Sequence, residues 1–546
     1  MSIPLNASHL TRREKIGQTC QIHGKEIAGL ADDQLAAYLH ERPIGSVFLG
    51  SEIIGSDGDC AEGLQVLIER LQRESPIPLS ISGDLENGAG GAVRGLTAFP
   101  VNLALGAVND PAEAYEYGKW TAVEAARIGF NWTFGPVVDL SLNWLNPIVS
   151  VRSLGSFPDR VAELASALIR GLQDHGLSAT AKHFPGDGVD FRDQHLCVSV
   201  NSFSEQEWQR TFGRVYEACF AAGVHSVMAG HIALPWIEPG TGTGRAPLPG
   251  TTSRCILHEL LRERMGYEGV VVSDALIMAG FRGRTSGQEN LIVEAFHAGI
   301  DVMLWPGPHY FDLMERALES GRISEERLDQ SVNRILAMKA RQQLARKPAT
   351  PRASSSWQEP GAARLADSVA ERCLTLIKNE QNLLPLDASK TSRVLVVLGT
   401  PQEQNAEARL QPLLDGLRRR GMTVDLHING NCLDLRKREE AGERFQVLIA
   451  IFELGTHSLK NTMRPTGPMA ECMWTIQGLQ SVEPIIVSLG SPYLLNDMPW
   501  ADTCINAYSS NPHTLKALEA ALFGDIPFAG ISPVQESGFW LMTDGQ

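Results

Sequence analysis

Up to about residue 345 the chain alternates short runs of β-branched residues with longer amphipathic stretches. The runs are Gly45–Leu49, Leu79–Gly83, Asn131–Phe134, Ser178–Ala181, Ser226–Ala229, Val270–Ser273 and Val302–Leu304. Between them apolar residues recur at helical spacing, as in Pro111–Ile128, Pro158–Gly176, Glu205–Ala222 and Thr252–Met265. A strand covered on both faces reads as a continuous apolar run, and strands alternating with helices build a parallel sheet. Seven such runs predict a (β/α)8 TIM-like barrel with one strand hidden in the pattern.

The pattern breaks at RKPATPRASSSWQEPG, residues 346–361, a Pro-, Ser- and Ala-rich stretch without periodicity that reads as a linker. Beyond it the apolar runs Arg393–Gly399, Val447–Phe452 and Pro484–Leu489 are separated by helical stretches such as Ala406–Arg420 and Asn511–Phe523. They predict a three-layer α/β/α sandwich. The expected organisation is a barrel over 1–345, a linker over 346–361 and a sandwich over 362–546.

Length and charge narrow the function. At about 150 residues per domain the 546 residues would make three or four domains, but a barrel is one larger unit. The net charge of −15 offers no long-range attraction to a phosphate backbone, which argues against nucleic acid as a partner. The nine cysteines are an odd number, scattered, with no C-x-x-C; this fits a reducing compartment better than a disulfide framework. The N-terminus lacks an apolar leader core and no run reaches about 18 apolar residues, so a cytoplasmic protein with no membrane span is expected. The run at 393–399 ends in GTPQEQN, without the G-x-G-x-x-G that brings backbone to a pyrophosphate. No cofactor is expected. Nothing in the pattern bears on oligomeric state.

In a barrel, chemistry collects just past the C-terminal ends of the strands. Here Asp84 follows LSISG, Lys182 and His183 follow SATA, His231 follows SVMAG, and Asp274 follows VVVS. Each alone is equally a helix-capping residue; the set is harder to read that way. The stretch AKHFPGDGVDFRDQH, 181–195, ends in Asp193-x-His195. A carboxylate two residues from an imidazole is a candidate acid/base dyad, the Asp orienting the ring. Asp187, Asp190, Asp193 and His195 could instead surround a cation, but the spacing is not that of a calcium loop, and no metal is expected. Asp274, in GVVVSDALIM, is a candidate nucleophile toward an anomeric carbon. His225 and His231 are six apart, which is not a helical metal pair, and Trp132, Trp144 and Trp305 read as packing.

The motifs KHFPGDG…DQH, GVVVSDALIM, FGPVVDL (134–140) and NPIVSVRSLG (146–155) together resemble glycoside hydrolase family three, in its β-N-acetylhexosaminidase branch. EKIGQ (14–18), MAGHIALP (228–235), RCLTLIKNEQNLLPL (372–386) and the run 505–534 extend the resemblance over nearly the whole chain. It implies that Asp274 is the nucleophile and that Asp193 and His195 are the acid/base dyad. It further implies that Lys182, His183, Asp84, Arg152 and Arg94 bind sugar hydroxyls. His231, by its place after a strand, is a candidate to face the pocket and bind substrate, beside the plainer reading of a core or capping histidine. Four features depart from the family pattern: Asp187 stands where His is usual, Gln194 where Ser is usual, LCVSV replaces a Leu-Pro segment, and the Asp84–Arg94 spacing is stretched.

The resemblance implies a retaining, exo-acting β-N-acetylhexosaminidase acting on a small glycoside or oligosaccharide. Two alternatives stay within the family. One is phosphorolysis, because an imidazole repels incoming phosphate less than a carboxylate does. The other is a β-glucosidase drawing its acid from the second domain, where Glu453 is the candidate. A sugar-binding protein that has lost its chemistry is the alternative of another class.

Overall fold

A computed structural model describes residues 6–54, 60–240, 247–283, 288–342, 357–430, 432–456, 463–479 and 481–535. The hidden strand is β1, Cys20–His23. It is four residues long and puts Gln21, a polar residue, at 0% exposure, so neither an apolar run nor a clean alternation marks it. The others are β2 (Ser46–Phe48), β3 (Ser80–Gly83), β4 (Trp132–Thr133), β5 (Thr180–Phe184), β6 (Ser226–Ala229), β7 (Val270–Ser273) and β8 (Met303–Leu304).

All pairings are parallel and they close a ring. One sheet runs β8-β1-β2-β3-β4 and another β5-β6-β7. Bridges Trp132↔Ser178 and Val272↔Val302 join them at both seams. A closed parallel ring leaves no edge strand, and its interior is filled by Trp132, Phe134, Met228, Val270, Val272 and Val302 among others. The fold is a (β/α)8 barrel followed by an α/β sandwich.

The N-terminal end of the barrel carries its own charges. Asp301, fully buried ahead of β8, accepts from Arg262 (2.8 Å), Arg327 (3.3 Å), Arg334 (3.1 Å), Ser331 Oγ (2.6 Å) and the Val271 N–H (3.0 Å). Burial pushes its pKa up, but the three guanidinium groups outweigh that and hold it below the ordinary value. Lys339 is also fully buried, and donates to Gln18 Oε1 and the Pro78 carbonyl, both at 2.7 Å. With neutral acceptors alone, burial pulls its pKa down to about 7.

The chain divides into two compact units: Met1–Ala98, Pro111–Leu140 and Pro158–Ala363 form the first, and Phe99–Asp110, Ser141–Phe157 and Arg364–Gln546 the second. The boundary differs from a single cut at 346–361 because two earlier segments bond into the second unit. Ser156 N–H donates to the Pro533 carbonyl (2.9 Å), Ile531 N–H to Ala107 (3.0 Å) and Tyr493 Oη–H to Ser141 (2.6 Å). Of the expected linker, 346–356 lies outside the described residues. The second unit's sheet has strands β9 (Thr375–Asn379), β10 (Arg393–Gly399), β11 (Thr423–Ile428), β12 (Val447–Phe452), β13 (Pro484–Ser488) and β14 (Thr503–Asn506). Their order is β9-β14-β13-β12-β10-β11. Only β9 runs antiparallel. No described helix is long and apolar enough to cross a membrane.

Candidate active site

The C-terminal ends of β3, β5 and β7, with the loops that leave β4 and β5, place the charged side chains of the first unit. Asp274 directly follows β7. Its backbone N–H donates to the Ala229 carbonyl (2.9 Å) and its Oδ1 accepts from Ala275 N–H (2.7 Å). The residue is 9% exposed. Burial pushes the pKa up, yet the fields of His183, His231 and His195 and the Ala275 N–H leave it below the ordinary carboxylate value. The group is therefore an ionised carboxylate with little hydrogen bonding to blunt it, surrounded by three imidazoles.

The loop after β5 carries the dyad. Asp193 is fully buried, and its Oδ1 accepts both the backbone N–H (2.8 Å) and the Nδ1–H (2.7 Å) of His195. Two bonds to one oxygen fix the ring's tilt. The His195 side chain keeps 28% exposure. The His195 carbonyl accepts from Ala279 N–H at 3.0 Å, which ties this loop to the segment after Asp274. A side chain at Gly280 would meet the Gln194 carbonyl at 2.5 Å, so glycine is required where the two backbones meet.

Lys182, 3% exposed, donates to Asp84 Oδ1 (2.8 Å) and Glu86 Oε1 (2.6 Å). His183 is gripped by Asp139, which accepts from its backbone N–H (3.0 Å), from its Nδ1–H (2.6 Å) and from Asp187 N–H (2.8 Å). Asp139 and Glu86 are residues of the site to which the sequence pattern assigns no role. Asp139 ends FGPVVD after β4, one more apolar run closed by an acid, and that is the signal that could find it. Asp187 is buried against it; desolvation and the Asp139 charge push its carboxyl up to about 7.

Other expectations fall differently. His231 is fully buried with both ring nitrogens engaged: Nε2–H donates to the Ala275 carbonyl (3.1 Å) and Nδ1 accepts from Thr251 Oγ1–H (3.0 Å). It braces the turn behind Asp274 and has no nitrogen left for a sugar, because the β6 end is covered by that turn. Arg94 is exposed on the loop after β3, its N–H donating to Ser51 Oγ (2.9 Å). Arg152 belongs to the second unit, on the turn Ser150–Arg152, and donates to the Ile148 carbonyl (3.3 Å). Glu453, also in the second unit, accepts from Arg409 (2.7 Å) and Thr400 (2.8 Å). The loop carboxylates considered for a cation turn to separate partners: Asp190 to Arg192 (2.6 Å) and Val200 N–H (2.8 Å), Asp187 to Gly188 N–H (2.7 Å) and Ser199 Oγ (3.2 Å). Among the described residues no group of three metal-ligating side chains converges.

The arrangement supplies an ionised carboxylate, a carboxylate-oriented imidazole and a polar wall at one barrel mouth, the components of acid-assisted displacement at carbon. Comparison with known proteins points the same way. The model of the glycosyl hydrolase family 3 N-terminal domain matches residues 11–338. A "beta-N-acetylglucosaminidase/beta-glucosidase" of Cellulomonas fimi is 37% identical over 487 residues, covering 86% of this chain and 85% of that one. A solved "beta-glucoside phosphorylase BglX" superposes with a TM-score of 0.84 at 29% identity, covering 97% of this chain and 95% of that chain. A solved family 3 β-N-acetylglucosaminidase from Paenibacillus sp. gives 0.83 at 27% identity, covering 96% and 99%. With the family match spanning the whole barrel and a relative aligned over most of both units, the chain belongs to glycosyl hydrolase family 3 and is a glycosidase.

Proposed function

We propose that the protein removes terminal β-linked N-acetylglucosamine from small glycosides by two displacements with retention. The observation that carries this reading is the pairing of an ionised Asp274 after β7 with the Asp193–His195 dyad on a loop bonded to the same segment. Asp274 attacks the anomeric carbon while His195 Nε2–H protonates the departing oxygen, giving a glycosyl ester and a neutral imidazole. That imidazole then takes a proton from water, which attacks the ester and releases the sugar. Asp193 stabilises the imidazolium in both directions. Lys182, held between Asp84 and Glu86, and His183, held by Asp139, bind ring hydroxyls and fix the sugar's register against Asp274. The Cellulomonas fimi and Paenibacillus relatives support the choice of sugar.

A second reading is phosphorolysis of β-glucosides. It is favoured by an acid/base that is an imidazole rather than a carboxylate, which repels phosphate less, and by the likeness to a β-glucoside phosphorylase. A panel of para-nitrophenyl β-glycosides, run with and without inorganic phosphate, separates the readings. Phosphate-independent release confined to the N-acetylglucosaminide supports the first. A dominant β-glucoside signal with a sugar 1-phosphate product replaces it with the second.

A further inference from the structure

The loop that carries the dyad turns its carboxylates inward and large apolar side chains outward. Asp187, Asp190, Asp193 and Gln194 are at most 9% exposed, while Phe191 is 55% and Leu196 41% exposed. The segment after Asp274 does the same, with Ile277 51% exposed. Scattered surface apolar residues need no explanation, but grouped ones mark a site. Among the described residues seven large hydrophobic side chains stand exposed, and these three sit within four residues of Asp193, His195 or Asp274. Their segments also touch, through the Ala279 N–H bond to the His195 carbonyl (3.0 Å) and the close approach at Gly280.

The polar groups of the loop are accounted for elsewhere. Asp190 holds Arg192 and the Val200 N–H, Asp193 holds His195, and Gln194 Oε1 accepts from His231 N–H (3.2 Å). An acid protonates an oxygen only from about 2.6–3.2 Å, so whatever departs from the sugar must lie against the surface flanking His195. Apart from the Arg192 guanidinium, 43% exposed and paired with Asp190, the exposed side chains there are the carbon of Phe191 and Leu196.

We infer that Phe191, Leu196 and Ile277 form an apolar wall for the leaving group, so that the enzyme selects glycosides whose aglycone presents apolar surface, such as alkyl or aryl groups. The inference rests on His195 being the proton donor. Leaving-group chemistry and leaving-group contact are separable, because straight-chain alcohols lengthen in apolar surface while their acidity stays nearly constant. The decisive measurement is kcat/KM along methyl, ethyl, propyl and butyl β-glycosides of the sugar picked out by the aryl panel. In the wild-type protein kcat/KM is expected to rise roughly two- to fourfold per methylene, the range for partial to full burial of a CH2 group. In Phe191→Ser and Ile277→Ser each slope is expected to fall, and in the double variant to flatten; the slope is read within each variant, so overall rate does not enter. Turnover that is flat with chain length in the wild type, or a slope that survives in the double variant, overturns the wall and leaves the glycosidase reading standing. Absence of turnover on alkyl and activated aryl glycosides alike overturns both.

Discussion

The two ends of the barrel each bury an aspartate and a lysine, and treat them in opposite ways. At the N-terminal end Asp301 accepts five hydrogen bonds, three of them from guanidinium groups. At the mouth Asp274 is held below its ordinary pKa mainly by imidazole fields, and Ala275 N–H is its one hydrogen-bond donor among the described residues. Lys182 at the mouth meets two carboxylates, whereas Lys339 at the other end meets only neutral oxygens. Saturated bonding at one end makes structure. At the other, charge is kept ionised but under-bonded, so that a reacting carbon or a sugar hydroxyl can complete it.

The sharpest way to break that contrast is to neutralise each aspartate. Asp274→Asn is expected to cut kcat/KM on the order of 10^4-fold with an unchanged unfolding midpoint, as read by steady-state kinetics beside thermal melts. Comparable loss of fold would place Asp274 with the structural group. Asp301→Asn should do the reverse: about 3–5 kcal/mol lost in denaturant unfolding, since three guanidinium groups lose their carboxylate, with turnover per folded molecule retained. A smaller effect is expected from His195→Ala, on the order of 10^2–10^3-fold in kcat/KM on alkyl glycosides and little in kcat/KM on activated aryl ones, whose departure needs no proton. Equal losses on both would remove the proton-donor role.

The lysines give the mildest test. The unfolded chain releases the Lys339 proton near the ordinary lysine value of 10.5 and the folded protein near 7. Between those values the unfolded chain binds more protons, so stability should rise as pH rises through that window. Lys339→Met should flatten this part of the curve, measured by urea unfolding at several pH values. A slope unchanged by the substitution would mean that Lys339 is charged in the fold.

Much of this architecture is legible in the amino-acid sequence, for reasons that differ by element. Strands buried on both faces, such as β7 and β12, announce themselves as unbroken apolar runs. Edge strands do not: β11, TVDLHI, is half exposed along its length and mixes polar residues into the run, and β1, though inside the ring, turns Gln21 inward. The dyad, Asp274 and Lys182 can be read because reacting groups sit at strand ends. Asp139 also closes an apolar run, but its grip on His183 and that of Glu86 on Lys182 join residues distant in sequence, and no local pattern reports a partner. The same limit applies to residues 99–110 and 141–157, whose membership of the second unit depends on bonds to chain some four hundred residues later.

The bond from Ala279 N–H to the His195 carbonyl has one more consequence. Proton donor and nucleophile are spanned by five residues of covalent chain and a single hydrogen bond, with Asp193 clamping the ring at the far end. The pair works as a caliper whose jaws are set by one short piece of backbone. Breathing of the surrounding loops can change how readily substrate arrives, while the gap across which the glycosidic bond must fit travels with the piece that defines it.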